Sequence, residues 1–134
     1  MPASPVLDSF ALLALLRDEP GAECVSRVLQ RAGQRNQPVH MTEVNYAEVQ
    51  YLIRCQNGDA AWAEVANELK VAPIEFHPVT RPLADLAAEL KARYRLSFAD
   101  AFAAALAKSR KAELLTGDSA FKPLEKEIII NWLQ

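Results

Sequence analysis

The sequence predicts an α/β protein: a mainly parallel central sheet of roughly five strands, covered by helices on both faces as a three-layer α/β/α arrangement. Three observations lead there. Short apolar runs of strand type alternate with longer segments whose apolar residues recur at helical spacing. Most of the eight prolines fall at junctions between these segments, where they interrupt neither ladder nor helix. The chain of 134 residues, 51% hydrophobic and 24% charged, is sized for one domain, 1–134, with a single core. Strands joined through helices run parallel, and right-handed crossovers gather their C-termini along one edge. Sites of open α/β sheets lie at that edge, so chemistry is sought there.

Pro5-Val6-Leu7 is a short extended start that ends at Asp8. Ser9 to Arg17 is helical and loaded with leucine at 12, 13, 15 and 16. Asp18-Glu19-Pro20-Gly21 breaks the chain, and Ala22 to Gly33 forms a second helix with Val25, Val28 and Leu29 on one side. Pro38-Val39-His40-Met41 is the next strand. Thr42 caps a helix running to about Cys55, and Asn57-Gly58 ends it. Asp59 to Leu69 is amphipathic, with Trp62, Val65, Ala66 and Leu69 on its apolar side. Ile74 to His77 is a strand, after which Thr80 and Pro82 open a helix through about Tyr94. Ser97 starts an alanine-rich helix to about Lys111. Glu113 to Thr116 is a strand, Ser119 to Leu124 a short helical turn, and Glu127 to Trp132 the final strand.

Fifteen Lys plus Arg against 17 Asp plus Glu give a net charge of −2. That argues against gripping nucleic acid by bulk positive charge, while a local patch or a bound metal remains open. Cys24 and Cys55 have no C-x-x-C spacing and are expected as free thiols in a reducing cytoplasm. No Lys or Arg precedes Asp8, unlike a secretory leader. The apolar stretch Phe10 to Leu16 is far short of the ~20 residues a membrane span requires.

Four carboxylates stand in places that need explaining. Asp8 directly follows the first strand, and Asp118 follows the strand ending at Thr116, so both project at the functional edge. Each also has an ordinary explanation as a helix N-cap. Winding Thr42 to Cys55 at ~100° per residue puts Val44, Tyr51, Leu52 and Cys55 on one face with Glu48 among them, while Glu43 falls with Gln50 and Arg54 on the polar side. A carboxylate on a core-facing stripe must be neutralised, paired or coordinated. Asp100 is the only polar residue from Phe98 to Ala107, with Phe98, Phe102 and Leu106 on one side and Asp100 facing the other beside Ala104 and Ala107. A capping box, Ser97-Phe98-Ala99-Asp100, explains it as well as a ligand would. Together the four are harder to dismiss, because gathered acids repel unless a cation sits among them. With no Cys or His in the set, all-oxygen ligation suits Mg²⁺ or Mn²⁺ rather than Zn²⁺.

The chain resembles the PIN-domain nucleases, and most closely the VapC-type toxins of bacterial toxin–antitoxin pairs. The matching segments are Val6-Leu7-Asp8-Ser9, Asn45-Tyr46-Ala47-Glu48-Val49, Leu96-Ser97-Phe98-Ala99-Asp100-Ala101 and Leu115-Thr116-Gly117-Asp118. Their order and spacing span essentially the whole chain. The resemblance implies a compact α/β/α domain whose acids hold one or two Mg²⁺ or Mn²⁺ ions. It makes Asp8 and Asp100 the principal ligands, Glu48 a further ligand or water-orienting group, and Asp118 the residue that completes the cluster, with Thr116 hydrogen-bonded within it. The implied reaction is hydrolysis of RNA by metal-activated water, leaving 5′-phosphate and 3′-hydroxyl ends. The implied partners are a second copy of the chain and a cognate antitoxin.

RNA must approach a mildly acidic protein, so arginines at the cleft rim are wanted. The candidates are Arg81, Arg93 and Arg95, with Lys108, Arg110 and Lys122 behind them; all are equally explained as solvated helix faces. The leucines of the first helix exceed what one buried face consumes, which points to a protein contact. Tyr46 and Tyr51 are as well placed for packing as for stacking on bases. Trp62 and Trp132 are expected in the core. His40 and His77 look isolated at strand ends, with structural roles. Two other readings compete. A phospho-acceptor receiver domain has the same size and class, and Lys122-Pro123 fits its pattern, but it requires an acidic pair after the first strand where Ser9 follows Asp8. A PIN-like binding module without catalysis is opposed by the four intact acids.

Overall fold

The computed structural model describes residues 3–133. In chain order the elements are β1 (Val6–Leu7), α1 (Ser9–Leu16), α2 (Ala22–Arg35), β2 (Val39–Thr42), α3 (Glu43–Asn57), α4 (Asp59–Val71), β3 (Ile74–His77), α5 (Arg81–Arg93), α6 (Phe98–Arg110), β4 (Leu114–Thr116), a 3-10 segment (Ser119–Lys126) and β5 (Ile130–Trp132). The five strands form one sheet in the order β3-β2-β1-β4-β5, and every pairing is parallel.

Strand side chains alternate between two layers, which is why the strands are apolar on both faces. Val6 and Leu114 pack with Leu83, Leu90 and the alanines of α6, under Phe121 and Leu124 of the 3-10 segment. Leu7 and Leu115 turn the other way, onto Ala11 of α1 and Val25 and Ala32 of α2. Met41 joins Leu12, Leu13, Val49, Ile53, Trp62 and Leu69 on that same side. The alanines at 101, 103, 104, 105 and 107 are buried, and their small size lets α6 lie close against β1 and β2.

Five of the helical segments start on a side-chain cap. Asp8, Thr42, Thr80, Ser97 and Asp118 each accept a backbone N–H with a side-chain oxygen at the start of the following helical segment. Gly58 takes φ +93° between α3 and α4, a conformation that favours glycine.

Two expectations shift. The final strand begins at Ile130 rather than Glu127, because the 3-10 segment runs on to Lys126 and the Glu127 carboxylate is tied to Lys108 and Arg93. The buried side of α3 is Asn45, Val49 and Ile53, whereas Tyr51 is 63% exposed and Cys55 is exposed. The inward face is therefore rotated by about one residue from Val44, Tyr51, Leu52 and Cys55, which leaves Glu48 at its margin.

Candidate metal centre

The strand order reverses between β1 and β4: the chain first builds outward to β2 and β3, then returns to lay β4 and β5 on the other side. The connections leave β1 and β4 in opposite directions there, opening a crevice at the strand C-termini. Leu7 pairs with Leu115, so Asp8 and Asp118 emerge side by side at that point. Glu48 comes from the second turn of α3, and Asp100 from the first turn of α6.

Asp8 is 1% exposed. Its Oδ1 accepts the Ala11 N–H at 2.8 Å, and its Oδ2 accepts the Thr116 hydroxyl. Thr116 Oγ1 in turn accepts the Asp118 N–H at 3.0 Å, and Asp118 Oδ1 accepts the Ala120 N–H at 2.9 Å. The ordinary capping explanation for Asp8 and Asp118 is thus correct as far as it goes. It accounts for their helices and leaves their charge unbalanced.

That charge is the decisive property. Burial pushes the Asp8 carboxyl up to about 7, against the hydrogen bonds from Thr116 and Ala11, and Asp100 and Asp118 push it further. Burial likewise raises Asp100 to about 6, with Asp118 and Glu48 adding to the effect and the Ser97 hydroxyl opposing it. Asp118 therefore acts on both Asp8 and Asp100, and Glu48 acts on Asp100, in one region. Among the described residues none of the four makes an ion pair. Mutually repelling carboxylates without a cation are the donor set a divalent ion fits.

The cluster is open rather than a closed cage. No three of these acids bring ligand atoms within 4.8 Å of one another; among the described residues only His40, Glu75 and His77 do so. Wider spacing suits Mg²⁺, which keeps several of its waters and takes few direct carboxylates.

The PIN domain family model matches residues 6–127. The chain belongs to the PIN domain family. Solved structures share its fold: VapBC2 from Rickettsia felis bound to a promoter DNA fragment is 14% identical with a TM-score of 0.76, covering 96% of this chain and 98% of that one. DNA-bound VapBC from Salmonella typhimurium is 13% identical with a TM-score of 0.75, covering 96% and 97%. Mycobacterium tuberculosis VapC20, a sarcin–ricin loop cleaving toxin, is 18% identical with a TM-score of 0.72, covering 90% and 94%. No curated protein matches the chain.

One residue of this PIN domain that sequence reasoning gave no role holds the crevice together. Asn45 is fully buried and donates from Nδ2 to Ser9 Oγ at 3.0 Å and to the Ala99 carbonyl at 3.1 Å. Its Oδ1 accepts the Thr42 hydroxyl, and its N–H donates to Thr42 Oγ1 at 2.9 Å. Asn45 thus joins the starts of α1, α3 and α6, the helices bearing Asp8, Glu48 and Asp100. The available signal was a Thr42-x-x-Asn45 cap placed one turn from an apolar Val49 and Ile53.

The basic candidates divide. Arg93 is engaged with Glu89 and Glu127 and lies over the Tyr94 ring. Lys108 is bound to Glu127. Arg81 and Arg95 are exposed, and among the described residues neither forms an ion pair. Tyr46 packs edge-on against Trp62 and Phe76, a core role. Trp62 is buried as expected, whereas Trp132 is only half-buried and donates to Glu125 at 2.9 Å. His40 and His77 are not isolated: their ring nitrogens lie 2.9 Å apart.

Proposed function

We propose that this PIN domain is a metal-dependent endoribonuclease that hydrolyses RNA phosphodiester bonds and serves as the toxin of a toxin–antitoxin pair. The observation that carries the reading is the group of acids at the strand-order reversal, in which burial and the neighbouring carboxylates raise Asp8 and Asp100, with no cation paired to the group among the described residues. Asp8 and Asp100 would hold Mg²⁺ or Mn²⁺, with Glu48 and Asp118 completing the set. Such an ion, when bound, would offset phosphate charge and lower the pKa of an attacking water.

The side chains supply orientation. Thr116 and the Ala11 N–H hold both Asp8 oxygens, so this carboxylate is presented in one pose. Glu48, at the margin of α3 and near enough to raise Asp100, would hold the ion or orient an attacking water by accepting its hydrogen bond. In-line displacement leaves 5′-phosphate and 3′-hydroxyl ends.

Toxin–antitoxin pairing is supported by fold likeness to the VapBC assemblies and by a groove beside α1. Leu15, Leu16, Ile53, Ala61 and Val65 line that groove, rimmed by Arg17, Glu64 and Glu68. An apolar antitoxin segment or a second copy of the chain suits such a lining. No helix among the described residues is long and apolar enough to cross a membrane, and we place the activity in the cytoplasm with its RNA.

The test is cleavage of RNA by the purified chain with Mg²⁺ or Mn²⁺, with EDTA, and by Asp8→Asn and Asp100→Asn. Loss in all three controls supports the reading. Cleavage that survives EDTA and both substitutions, or no metal-dependent cleavage by the parent chain, refutes it.

A further inference from the structure

The face of the sheet beneath α5 and α6 carries a second cluster that the nuclease reading does not use. His40 and Glu75 are register partners on β2 and β3, and His77 lies two residues beyond Glu75 on the same face. Met41 and Phe76, the alternate residues, point to the opposite layer. Side chains sharing a face on adjacent strands stand within about 5 Å of one another at Cβ, which is why three can converge. His40 Nδ1 lies 2.9 Å from His77 Nε2 and 4.0 Å from Glu75 Oε1, and His77 Nε2 lies 3.6 Å from Glu75 Oε2. An ion held tetrahedrally at about 2.0–2.1 Å from each ligand places its ligand atoms about 3.3 Å apart. The observed separations bracket that value.

We propose that His40, His77 and Glu75 form a binding site for a Zn²⁺-class divalent ion, with a fourth position open to water, that staples the edge strand β3 to β2. Two imidazoles and one carboxylate favour zinc and its neighbours over magnesium, so this site and the all-oxygen acid cluster select different metals. The two also differ in place. The groups that face the histidines include Arg110 at the far end of α6, about 15 Å along the helix from Asp100. Burial lowers both histidines from their ordinary range, His40 to about 4, and Arg110 opposes protonation of both. At 2.9 Å one of the two facing ring nitrogens donates to the other, so an ion takes up both lone pairs once the donor imidazole carries its proton on its other nitrogen. Arg110 works against an incoming cation, and the Glu75 carboxylate offsets it. His40 is buried, His77 is mostly buried and Glu75 is 54% exposed, so an ion enters from the Glu75 side. Beside His77 a cleft of about 400 Å³ lined by Pro82, Leu83, Leu86 and Leu106 leaves room for the open position.

The experiment titrates the chelator-stripped full chain with Zn²⁺ and with Co²⁺, following calorimetry, thermal unfolding and visible absorption. Expected are a single Zn²⁺ equivalent, a Tm rise of roughly 5–10 °C at saturating metal, and the intense visible bands of four-coordinate Co²⁺. Glu75→Gln, on an exposed side chain, weakens Zn²⁺ binding at least about tenfold. His77→Ala abolishes it, and Asp100→Asn leaves it unchanged. If His77→Ala does not fold, Glu75→Gln decides alone. No Zn²⁺ uptake, uptake that Glu75→Gln leaves intact, or loss on Asp100→Asn would overturn the site and leave a hydrogen-bonded His–His–Glu network only.

Discussion

Asp8 is pulled two ways. Burial favours its neutral form, while Thr116 and the Ala11 N–H favour the ionised one, and burial wins, at about 7. A carboxyl raised in the folded state binds its proton more tightly there than in the unfolded chain. Its contribution to stability is full below the ordinary carboxylate range and is lost as pH rises towards 7. A divalent ion competes with that proton and, once bound, reverses the penalty. The Tm increment produced by Mg²⁺ is therefore expected to be small at about pH 5 and to reach its full size by about pH 8. His40 and His77 titrate with the opposite sign, gaining stability as pH rises through their window, yet their effect cancels in the difference between Mg²⁺-loaded and Mg²⁺-free samples. An increment independent of pH would show that Asp8 and Asp100 do not hold the ion. Asn45 supports a second prediction at this scale. Asn45→Ala removes the side-chain bonds to Ser9, Thr42 and the Ala99 carbonyl, leaving the Ser9 hydroxyl only its 3.4 Å bond to the residue 45 carbonyl, and is expected to cost about 1–3 kcal/mol, read from the denaturation midpoint. Cleavage should fall as well, because three acid-bearing helix starts lose their shared anchor.

Elements were legible wherever local chemistry set them, and less so where a distant contact did. The caps at Thr42, Thr80 and Ser97 announce α3, α5 and α6 in the sequence, and the structure uses each of them. The inward face of α3 includes a residue that apolar spacing cannot pick out, the buried polar Asn45. Its partners lie 36 and 54 positions away, and no helical wheel contains them. The end of the 3-10 segment was missed for the same reason, since Glu127 is fixed by Lys108 and Arg93 from other elements. Those ties hold Glu127 down at about 2, chiefly through Lys108 and Tyr94. A depressed carboxylate contributes stability above its unfolded range and loses it as pH falls through its folded value. Glu127→Gln is expected to cost only about 1 kcal/mol at neutral pH, because Lys108 and Arg93 are 38% and 46% exposed and solvent screens them. The cost should vanish in acid, which unfolding of both proteins across the acid range checks. Gly117 is likewise explained across elements. A methyl there would meet Phe10 Cε1 at 2.4 Å, and Phe10 is 43% exposed and able to swing aside. Gly117→Ala should cost stability with Phe10 present and almost none in a Phe10→Ala background, a coupling that a double-mutant cycle measures.

For the whole molecule, strand order follows from where the chain reverses, and that reversal also puts Asp8 beside Asp118. The sequence pattern declared a parallel sheet with helices on both sides and put Asp8 and Asp118 at its strand-end edge; it held no information on which strands neighbour which, so the roles of the four acids came from the likeness of segments instead. Charge is the property that belongs to no single element. With a net charge of −2 and an acidic crevice, the proposed action on RNA requires a metal and a few arginines to reverse the local field. Arg93 cannot be spared for this, since it serves Glu89 and Glu127. Arg95 is exposed in the short connection that leads to the Ser97 cap, close in sequence to Asp100. Arg95→Glu is therefore expected to weaken RNA binding several-fold and to lower the slope of log affinity against log salt by about 1. Arg81→Glu, at the opening turn of α5, provides the comparison, and Arg93→Glu should lower Tm instead. Binding measured at low and at high salt separates these outcomes, and an unchanged slope for Arg95→Glu would remove that residue from the RNA path.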